Sequence, residues 1–294
     1  MKNKLSENQN LVIASIQMTS NTNFKANLKK ALSLILDAAK AGANLVVLPE
    51  YFAIMGFKET DKFEHVEDHG KGEMQDAISN SAIENNVWIV AGTHPITSNS
   101  ENQPFGRCYV FQPDGKINCW YDKIHLFDVE VEDKTKSYLE SKYSKPGNKP
   151  VSFETPWGRI GLAVCYDLRF PELYSQLLSM GAEILLVPSA FTWETGRAHW
   201  EILLRARAIE NQCYVVGANQ GGVHTVNRRT WGHSIIVDPW GDTLGMLDQG
   251  PSVLVREIDI HYLRQLRANM PIQQHKAFSV INHVNRSEKG DVSE

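Results

Sequence analysis

One cysteine in this sequence stands where a nucleophile would be exposed. Cys165 directly follows an apolar run at residues 160–164, which predicts a strand, and a helix is predicted to begin near Pro171. A strand that turns sharply into a helix presents the side chain between them at the edge of the sheet, beside free backbone N–H groups. A thiolate there could attack a carbonyl carbon. The alternative is a small buried residue with a structural role.

A glutamate and a lysine also lie beside predicted strands. Glu50 comes just after the apolar run 45–48, so its carboxylate is expected to be rigid and partly desolvated. Desolvation raises the pKa of a carboxylic acid and suits it to act as a base. Lys123 follows a predicted strand at 117–121, and its ammonium could stabilise negative charge on a carbonyl oxygen. Taken alone, either residue could instead face solvent.

The segments that must position these residues alternate between strands and helices. Residues 11–16 form an apolar run, and residues 24–35 carry apolar side chains at helical spacing. Asn21 or Asn23 can cap the start of that helix, and Gly42 follows its end, where a left-handed residue is favoured. Apolar runs without polar alternation indicate strands that are covered on both faces.

The rest of the chain continues this alternation. Further strands are predicted at residues 87–91, 108–111, 184–187 and 214–218, and further helices near His199 and from Asp259. The turn sequences PDGK at 113–116 and DPWG at 238–241 predict two hairpins. Because hairpins interrupt the strand–helix alternation, we expect mixed sheets rather than purely parallel ones.

Two pairs of segments resemble each other within the chain. GANLVVLPEYF, from Gly42, aligns without gaps with GAEILLVPSAF, from Gly181. GRCYVFQPDGKI, from Gly106, resembles GHSIIVDPWGDT, from Gly232. The offsets differ, so this is no tandem array, and we interpret it as two related halves of one domain. The alternative is that an apolar strand followed by proline is simply a common pattern.

Composition and charge exclude several classes of protein. The 294 residues have a net charge of -4, which gives no electrostatic case for nucleic acid or anionic lipid as partner. The basic pairs Lys29–Lys30 and Arg228–Arg229 are too short for a binding tract and are interpreted as solvated surface. No run approaches the roughly 20 apolar residues of a membrane helix, and the N-terminus lacks an apolar signal core. A cytoplasmic location is predicted.

Neither the cysteines nor the histidines suggest a cofactor. The four cysteines form no CxxC pair, so disulfides are not expected in a reducing compartment. The histidines show no HExxH or paired ligand motif. We therefore expect no metal and no other cofactor.

Three segments, taken together and in order, resemble a known family. VVLPEYF, YDKIHLFD and GLAVCYDLRFPE are similar to the signature segments of the nitrilase superfamily, also called carbon–nitrogen hydrolases, and the resemblance runs from about Leu11 to His275. It implies an α/β fold, a four-layer αββα sandwich with two mixed β-sheets. The predicted organisation is a polar N-terminal extension at 1–10, a carbon–nitrogen hydrolase domain at 11–275 and a polar tail at 276–294. A homodimer or larger homo-oligomer is also implied.

The resemblance assigns roles to particular residues. It implies a catalytic triad of Glu50, Lys123 and Cys165, and a supporting Glu140 upstream of the cysteine. Glu130 and Glu132 lie nearer to Lys123 in sequence but outside the matching segment. The backbone N–H of Tyr166 is expected to help bind the oxyanion. Three further residues are predicted to bind substrate: Tyr51, Phe191 and Arg197.

Within the superfamily, the segments CYDLRFPELYSQLLSMGAEILLVPSAF and HYLRQLRANMPIQQHK resemble the deaminated glutathione amidase branch. This predicts hydrolysis of the terminal carboxamide of a small acidic substrate to carboxylate and ammonia, through a cysteine thioester. Arg197 stands where eukaryotic relatives usually carry proline. The sequence therefore does not determine the rim of the pocket or the chain length of the substrate. Arg197 or Arg169 could bind an anionic substrate, although Arg169 is better explained as a partner of neighbouring acids.

Other functions remain open from the sequence. One is an ω-amidase acting on α-ketoglutaramate, although that branch typically has glycine where Ser189 stands. Another is hydrolysis of N-carbamoyl compounds. Outside enzymes, the chain could be an inactive family member that acts as a binding subunit, although all four functional positions are present.

Overall fold

The computed structural model describes residues 10–100, 102–131, 135 and 137–278. The strands are β1 (Leu11–Gln17), β2 (Leu45–Val47), β3 (Trp88–Ile96), β4 (Phe105–Phe111), β5 (Ile117–Asp122), β6 (Asp128–Glu130), β7 (Ser137–Leu139), β8 (Val151–Thr155), β9 (Gly158–Leu162), β10 (Ile184–Ser189), β11 (Tyr214–Asn219), β12 (Gly221–Val223), β13 (Arg229–Trp231), β14 (Ile235–Val237), β15 (Thr243–Met246) and β16 (Ser252–Ile258). The α-helices are α1 (Phe24–Lys40), α2 (Glu73–Asn85), α3 (Pro171–Ser179), α4 (Trp193–Asn211) and α5 (Ile260–Asn269). Short 3-10 turns occupy Glu59–His65, Glu140–Lys142 and Cys165–Arg169.

Two six-stranded sheets form the centre of the molecule. The first has the order β16-β1-β2-β3-β4-β5, and the second has the order β15-β14-β11-β10-β9-β8. In the first sheet β1, β2 and β3 are parallel, and in the second β9, β10 and β11 are parallel. Antiparallel strands flank both parallel sets. The prediction of mixed sheets is therefore confirmed.

Helices cover the outer face of each sheet, while the inner faces pack against each other. Outward-facing residues of the first sheet, such as Ile16 and Val46, share one buried cluster with Leu28 of α1 and Ile78 of α2. The opposite faces of both sheets form a second cluster, which also includes residues of α3 and α4. Alternate side chains of a strand point to opposite faces, so each sheet buries both sides. The architecture is the expected αββα sandwich.

The two halves of the chain have the same topology. Read from β8 towards β15, the second sheet repeats the strand directions of the first sheet read from β16 towards β5. The internally similar segments occupy matching places, since β2 and β10 are both central parallel strands. Gly42 and Gly181, which precede them, both have φ of +92°. This left-handed conformation suits glycine, and it explains why the glycine recurs in both segments.

The predicted helix ends are mostly confirmed. The Asn23 side chain accepts a hydrogen bond of 3.0 Å from the Ala26 N–H at the start of α1, and Asp259 caps α5 in the same way. The helix predicted near His199 begins earlier, at Trp193. Helix α2 was not predicted, because its buried stripe is narrow and most of its sequence is polar.

Parts of the predicted domain organisation lie outside the described residues. These are the N-terminal extension up to residue 9 and the tail from residue 279. The domain boundaries therefore stay a prediction. Within the described part of the chain, no helix is both long enough and apolar enough to cross a membrane.

Candidate active site

Glu50 lies in the loop directly after β2 and is almost completely buried. Its carboxylate Oε1 accepts a hydrogen bond of 2.8 Å from Lys123 Nζ, and its backbone carbonyl accepts one of 3.0 Å from Gln220 Nε2. Strand β3 passes so close that a Cβ built on Gly92 would lie 1.8 Å from the Pro49 carbonyl oxygen. Glycine at position 92 therefore lets the loop that carries Glu50 pack tightly against β3. This close packing holds the Glu50 carboxylate in place.

Lys123 directly follows β5, and two carboxylates surround its ammonium group. Besides Glu50, it contacts Glu140, with Nζ at 2.8 Å from Oε2 and 3.1 Å from Oε1. Glu140 begins a short 3-10 turn after β7, and its Oε2 also accepts a hydrogen bond of 2.7 Å from the Phe127 N–H. The Tyr51 hydroxyl lies 3.3 Å from the other oxygen of Glu140. All the buried charges of this group have partners.

Cys165 opens the 3-10 turn after β9 and has a φ of +48°. Such a conformation costs a non-glycine residue about 1–3 kcal/mol, and it persists only where neighbours hold it. Here Asp167 Oδ2 accepts a hydrogen bond of 2.8 Å from the Val164 N–H, which closes the turn around the cysteine. The thiol lies close enough to the Glu50 carboxylate and the Ala190 backbone N–H for both to influence its pKa. The sharp turn predicted at Cys165 is therefore present.

The environment separates the pKa values of the two glutamates. Burial raises the pKa of Glu50 above its ordinary 4.5, and the Glu140 carboxylate adds to this while Lys123 opposes it. Burial would also raise the pKa of Glu140, but Lys123 and then Lys62 outweigh it and hold that pKa below 4.5. Glu140 is therefore an anion at neutral pH, whereas Glu50 binds a proton more readily than an ordinary glutamate does.

The thiol and the ammonium show the same influence of burial and charge. Burial, together with the Glu50 carboxylate, raises the pKa of Cys165 well above its ordinary 9.0, against the effect of Lys123. Burial would lower the pKa of Lys123, but the Glu140 and Glu50 carboxylates outweigh it and raise that pKa well above 10.5. At neutral pH the cysteine is a thiol beside the Glu50 carboxyl group, and the lysine stays charged.

A cavity opens onto these side chains. The residues predicted for catalysis, oxyanion binding and substrate binding that line it are Glu50, Tyr51, Lys123, Glu140, Cys165, Tyr166 and Phe191. The amide of Tyr166 precedes the first backbone hydrogen bond of the 3-10 turn, which runs from the Asp167 N–H to the Val164 carbonyl. The Tyr166 N–H therefore donates no hydrogen bond within the turn.

The structure places Arg197 apart from the other predicted site residues. Its side chain is 68% exposed, lies 3.6 Å from Glu194 and is absent from the cavity wall. Arg169 does line the cavity, and among the residues described it has no carboxylate partner. Its guanidinium instead lies over the rings of Tyr166 and Phe191. The interpretation of Arg169 as a partner of nearby acids is therefore corrected.

Several site residues were missed from the sequence. Arg228 and Arg229, interpreted there as solvated surface, both line the cavity, Arg228 partly buried and Arg229 exposed. Lys62 is buried near Glu140 and donates a hydrogen bond of 2.6 Å to Ser144 Oγ. No local pattern marks these residues, because their partners are distant in sequence. Among the described residues, no group of three or more His, Cys, Asp or Glu side chains could hold a metal ion.

The fold and the site together define a class of enzyme. An αββα sandwich presents a buried thiol, two carboxylates and an ammonium to one cavity, which is suited to acyl transfer through sulfur. The profile of the carbon–nitrogen hydrolase family matches residues 12–268. The chain therefore belongs to the carbon–nitrogen hydrolase family, and the resemblance to the nitrilase superfamily is confirmed.

Individual members of the family can be compared with this chain. The chain is 40% identical over 271 residues to the deaminated glutathione amidase of Yersinia enterocolitica, and the match covers 92% of this chain and 94% of that protein. The crystal structure of the Caenorhabditis elegans NitFhit protein superposes with a TM-score of 0.84 at 37% identity and covers 91% of this chain. The match spans only 65% of that longer protein.

A third relative has a structure in which its active site cysteine has reacted. A mutant of the amidase from Nesterenkonia sp. AN1 is 26% identical, with a TM-score of 0.73, and the match covers 90% of this chain and 99% of that one. That structure shows the result of Michael addition of acrylamide at its active site cysteine.

Proposed function

We propose that this chain is an amidase that uses Glu50, Lys123 and Cys165 to hydrolyse a small anionic amide of the deaminated glutathione type. One observation carries the proposal. A buried thiol and a buried ammonium lie beside the same buried carboxylate, and all three groups line one cavity. Nucleophile, base and electrophile are thereby within reach of one carbonyl group.

The first half of the reaction forms a thioester. Cys165 Sγ attacks the amide carbon while Glu50 accepts the thiol proton, since the raised pKa of the thiol means that little thiolate exists beforehand. Negative charge develops on the carbonyl oxygen and is stabilised by Lys123 and by the backbone N–H of Tyr166. The C–N bond then breaks as Glu50 returns the proton to the departing nitrogen, which leaves an acyl group on sulfur.

The second half releases the acid. Glu50 takes a proton from water, and the resulting hydroxide attacks the thioester carbon through a second oxyanion. The C–S bond breaks, and the proton returns to sulfur, which restores the thiol. Glu140 keeps its charge throughout and holds Lys123 in place, because two of the lysine's hydrogen bonds end on it.

The substrate assignment rests on relatives and on charge. Proteins about 40% identical to this chain are named deaminated glutathione amidase. Arg169, unpaired with any described carboxylate, supplies a cation for an acidic substrate. The amide bonds within glutathione join amino acids, so cleavage of one of them releases an amine fragment. Cleavage of a terminal carboxamide releases ammonia instead. Both reactions require the same proton transfers from Glu50.

The test is turnover of a small panel of amides by wild type and two matched pairs of variants. Deaminated glutathione, α-ketoglutaramate and an N-carbamoyl amino acid would be compared by the amine, ammonia or carbon dioxide released. Cys165→Ala and Glu50→Gln should each lower kcat by several powers of ten, whereas Cys119→Ala and Glu130→Gln should not. An acyl adduct trapped by acid should map to Cys165. Wild-type turnover by Cys165→Ala would overturn the proposal, and a wild type that binds but hydrolyses none of the panel would favour a binding subunit.

Two further expectations stay predictions. Family resemblance implies a homodimer or larger homo-oligomer, which light scattering of the purified protein would test. The cytoplasmic location would be tested by cell fractionation.

A further inference from the structure

A second buried lysine lies beside the catalytic groups, and the proposed reaction gives it no role. Lys62 belongs to the 3-10 turn Glu59–His65, and only 8% of its surface is exposed. It lies in the wall of a second cavity, which shares Glu50, Lys123 and Glu140 with the catalytic cavity. A lysine is rarely buried unless anions compensate its charge, so this position needs an explanation.

Hydrogen bonding ties Lys62 to the segment that carries Glu140. Its Nζ donates a hydrogen bond of 2.6 Å to Oγ of Ser144, which lies in the segment just after the Glu140 turn. Its ion pair with Glu59 is looser, with Nζ 3.7 Å from Oε2. The other oxygen of Glu59 accepts a hydrogen bond of 3.3 Å from Arg228 Nη1. Glu59 is therefore shared between two cations and does not compensate Lys62 by itself.

Glu140 is the second acid that the charge of Lys62 reaches. Burial lowers the pKa of Lys62, whereas Glu59 and then Glu140 oppose this and favour the ammonium form. The effect is mutual. Burial raises the pKa of Glu140, but Lys123 and then Lys62 outweigh it and lower that pKa. Buried charges influence each other beyond hydrogen-bonding distance, because little water screens them.

The other titratable groups that face Lys62 do not take its place. Lys123 and Arg228 are cations, and both lower the pKa of Lys62. His94 also lines the second cavity, but burial lowers its pKa to about 3, so its ring is neutral at neutral pH. Tyr51 is neutral there as well, because burial raises its pKa well above 10.0.

The charges around the second cavity balance only when Lys62 is counted. Among the described residues of its wall, the acids are Glu50 and Glu140, and the charged bases are Lys62 and Lys123. With Lys123 alone, one ammonium would compensate two buried carboxylates. Carboxyl groups in that situation hold one proton between them. A proton on Glu140 would neutralise the anion that holds Lys123 and would compete with the proton exchange of Glu50.

We propose that Lys62 is a positioning residue of the active site. Its ammonium keeps Glu140 ionised, so that Glu50 alone carries the proton of the reaction. Lys62 acts through Glu140, since it lines the second cavity and not the catalytic one. This inference rests on the proposed function, because that function gives the proton on Glu50 its purpose. The ionisation of Glu140 can nevertheless be measured without turnover.

The experiment follows the carboxyl carbon of Glu140 by NMR, in protein labelled with carbon-13 at the side-chain carboxyl groups of glutamate. The resonance is assigned by its loss in Glu140→Gln. In the wild type its titration midpoint should lie below pH 4.5, since the pKa of Glu140 is lowered from that value. Lys62→Gln removes the charge and keeps a donor for Ser144. Its midpoint should move to higher pH, because loss of a nearby cation favours the neutral carboxyl group.

Further variants separate the charge of Lys62 from its packing. Lys62→Met removes both the charge and the hydrogen-bond donor, and it should also move the Glu140 midpoint to higher pH. Lys62→Arg keeps the charge and should restore the wild-type titration. The matched control is Lys58→Gln, which removes an exposed lysine just before the same turn and should leave the midpoint unchanged. Thermal unfolding checks that each variant is folded.

Amide hydrolysis should respond in the same direction. Both glutamates must be ionised for turnover, so the acid limb of kcat/KM should move to higher pH in Lys62→Gln. We expect kcat to fall by about 10- to 100-fold, because Lys123 is held less firmly. A purely structural role of Lys62 would lower the amount of active enzyme but would move neither the limb nor the titration of Glu140.

Two outcomes separate this inference from the proposed function. Identical titration of Glu140 in the wild type and in Lys62→Gln would overturn the role of Lys62, whichever amides the wild type hydrolyses. A wild type that hydrolyses none of the amides, combined with a shifted Glu140 midpoint in Lys62→Gln, would overturn the proposed function and leave the effect of Lys62 on Glu140 standing.

Discussion

The Tyr121 hydroxyl donates a hydrogen bond of 2.8 Å to Asp167 Oδ2 and so joins the two sheets beside the active site. Tyr121 belongs to β5, which leads to Lys123, and Asp167 belongs to the turn that Cys165 opens. Asp167 is fully buried and also accepts the backbone N–H of His125 at 3.0 Å. This one carboxylate therefore fixes the position of the lysine segment relative to the cysteine turn.

Removing that connection should weaken both the fold and catalysis. Tyr121→Phe leaves a buried carboxylate oxygen with one donor fewer, which should cost about 1–3 kcal/mol of unfolding free energy. We expect kcat to fall as well, because the distance between ammonium and thiol is no longer fixed. Urea unfolding and steady-state kinetics would measure the two effects. Tyr262→Phe, which alters a partly exposed tyrosine of α5, is the control and should change neither.

The pH profile should report the raised pKa of Glu50. The carboxylate is the active form, so activity is lost as the pH falls through the pKa of Glu50, which burial raises above 4.5. The acid limb of kcat/KM should therefore lie above pH 4.5. An acid limb at or below that pH would show that Glu50 is not the group that limits the reaction.

Glu140 should control where that acid limb falls. Its negative charge contributes to the raised pKa of Glu50, so Glu140→Gln should shift the limb to lower pH. Lys123 also loses a hydrogen-bonded anion, and we expect kcat to fall by about 10- to 1000-fold as the oxyanion is less well stabilised. Glu130→Gln, on the exposed face of β6, is the matched control. A lower kcat with an unshifted limb would contradict the electrostatic role of Glu140.

Gly92 should be intolerant of even a methyl group. In Gly92→Ala the new Cβ would overlap the Pro49 carbonyl, so either β3 or the loop that carries Glu50 must move. We expect a loss of about 1–3 kcal/mol in unfolding free energy and a larger proportional loss of activity. Gly106→Ala on the neighbouring strand β4 meets nothing within 4 Å and serves as the control. Equal behaviour of the two variants would contradict this packing.

The strands that position the candidate site could be predicted because they depend on local patterns. Glu50 and Cys165 each follow an apolar parallel strand, Glu50 in the first sheet and Cys165 in the second. The internal similarity between the segments at Gly42 and Gly181 also indicated that two related sheets would pair. Local hydrophobicity and turn residues were sufficient to predict the strands, whereas the roles of Glu50 and Cys165 came from the family resemblance.

The position of the arginines relative to the cavity could not be predicted in the same way. Arg228 is partly buried because it packs against Glu59 and Tyr51, which lie 169 and 177 positions earlier in the chain. Arg197, which was predicted to bind substrate, lies on α4 with its side chain in solvent. Whether an arginine is buried depends on long-range packing, and the adjacent pair Arg228–Arg229 looks like surface in any local window.

The division of the reacting groups between two sheets has a mechanical consequence. Glu50 and Lys123 follow strands of the first sheet, and Cys165 follows a strand of the second. A small slip of one layer over the other would draw sulfur away from its base while every hydrogen bond within each layer survives. Mild heating or low denaturant should then lower the rate of turnover before the circular dichroism signal changes. The enzymatic rate therefore reports the position of one sheet relative to the other.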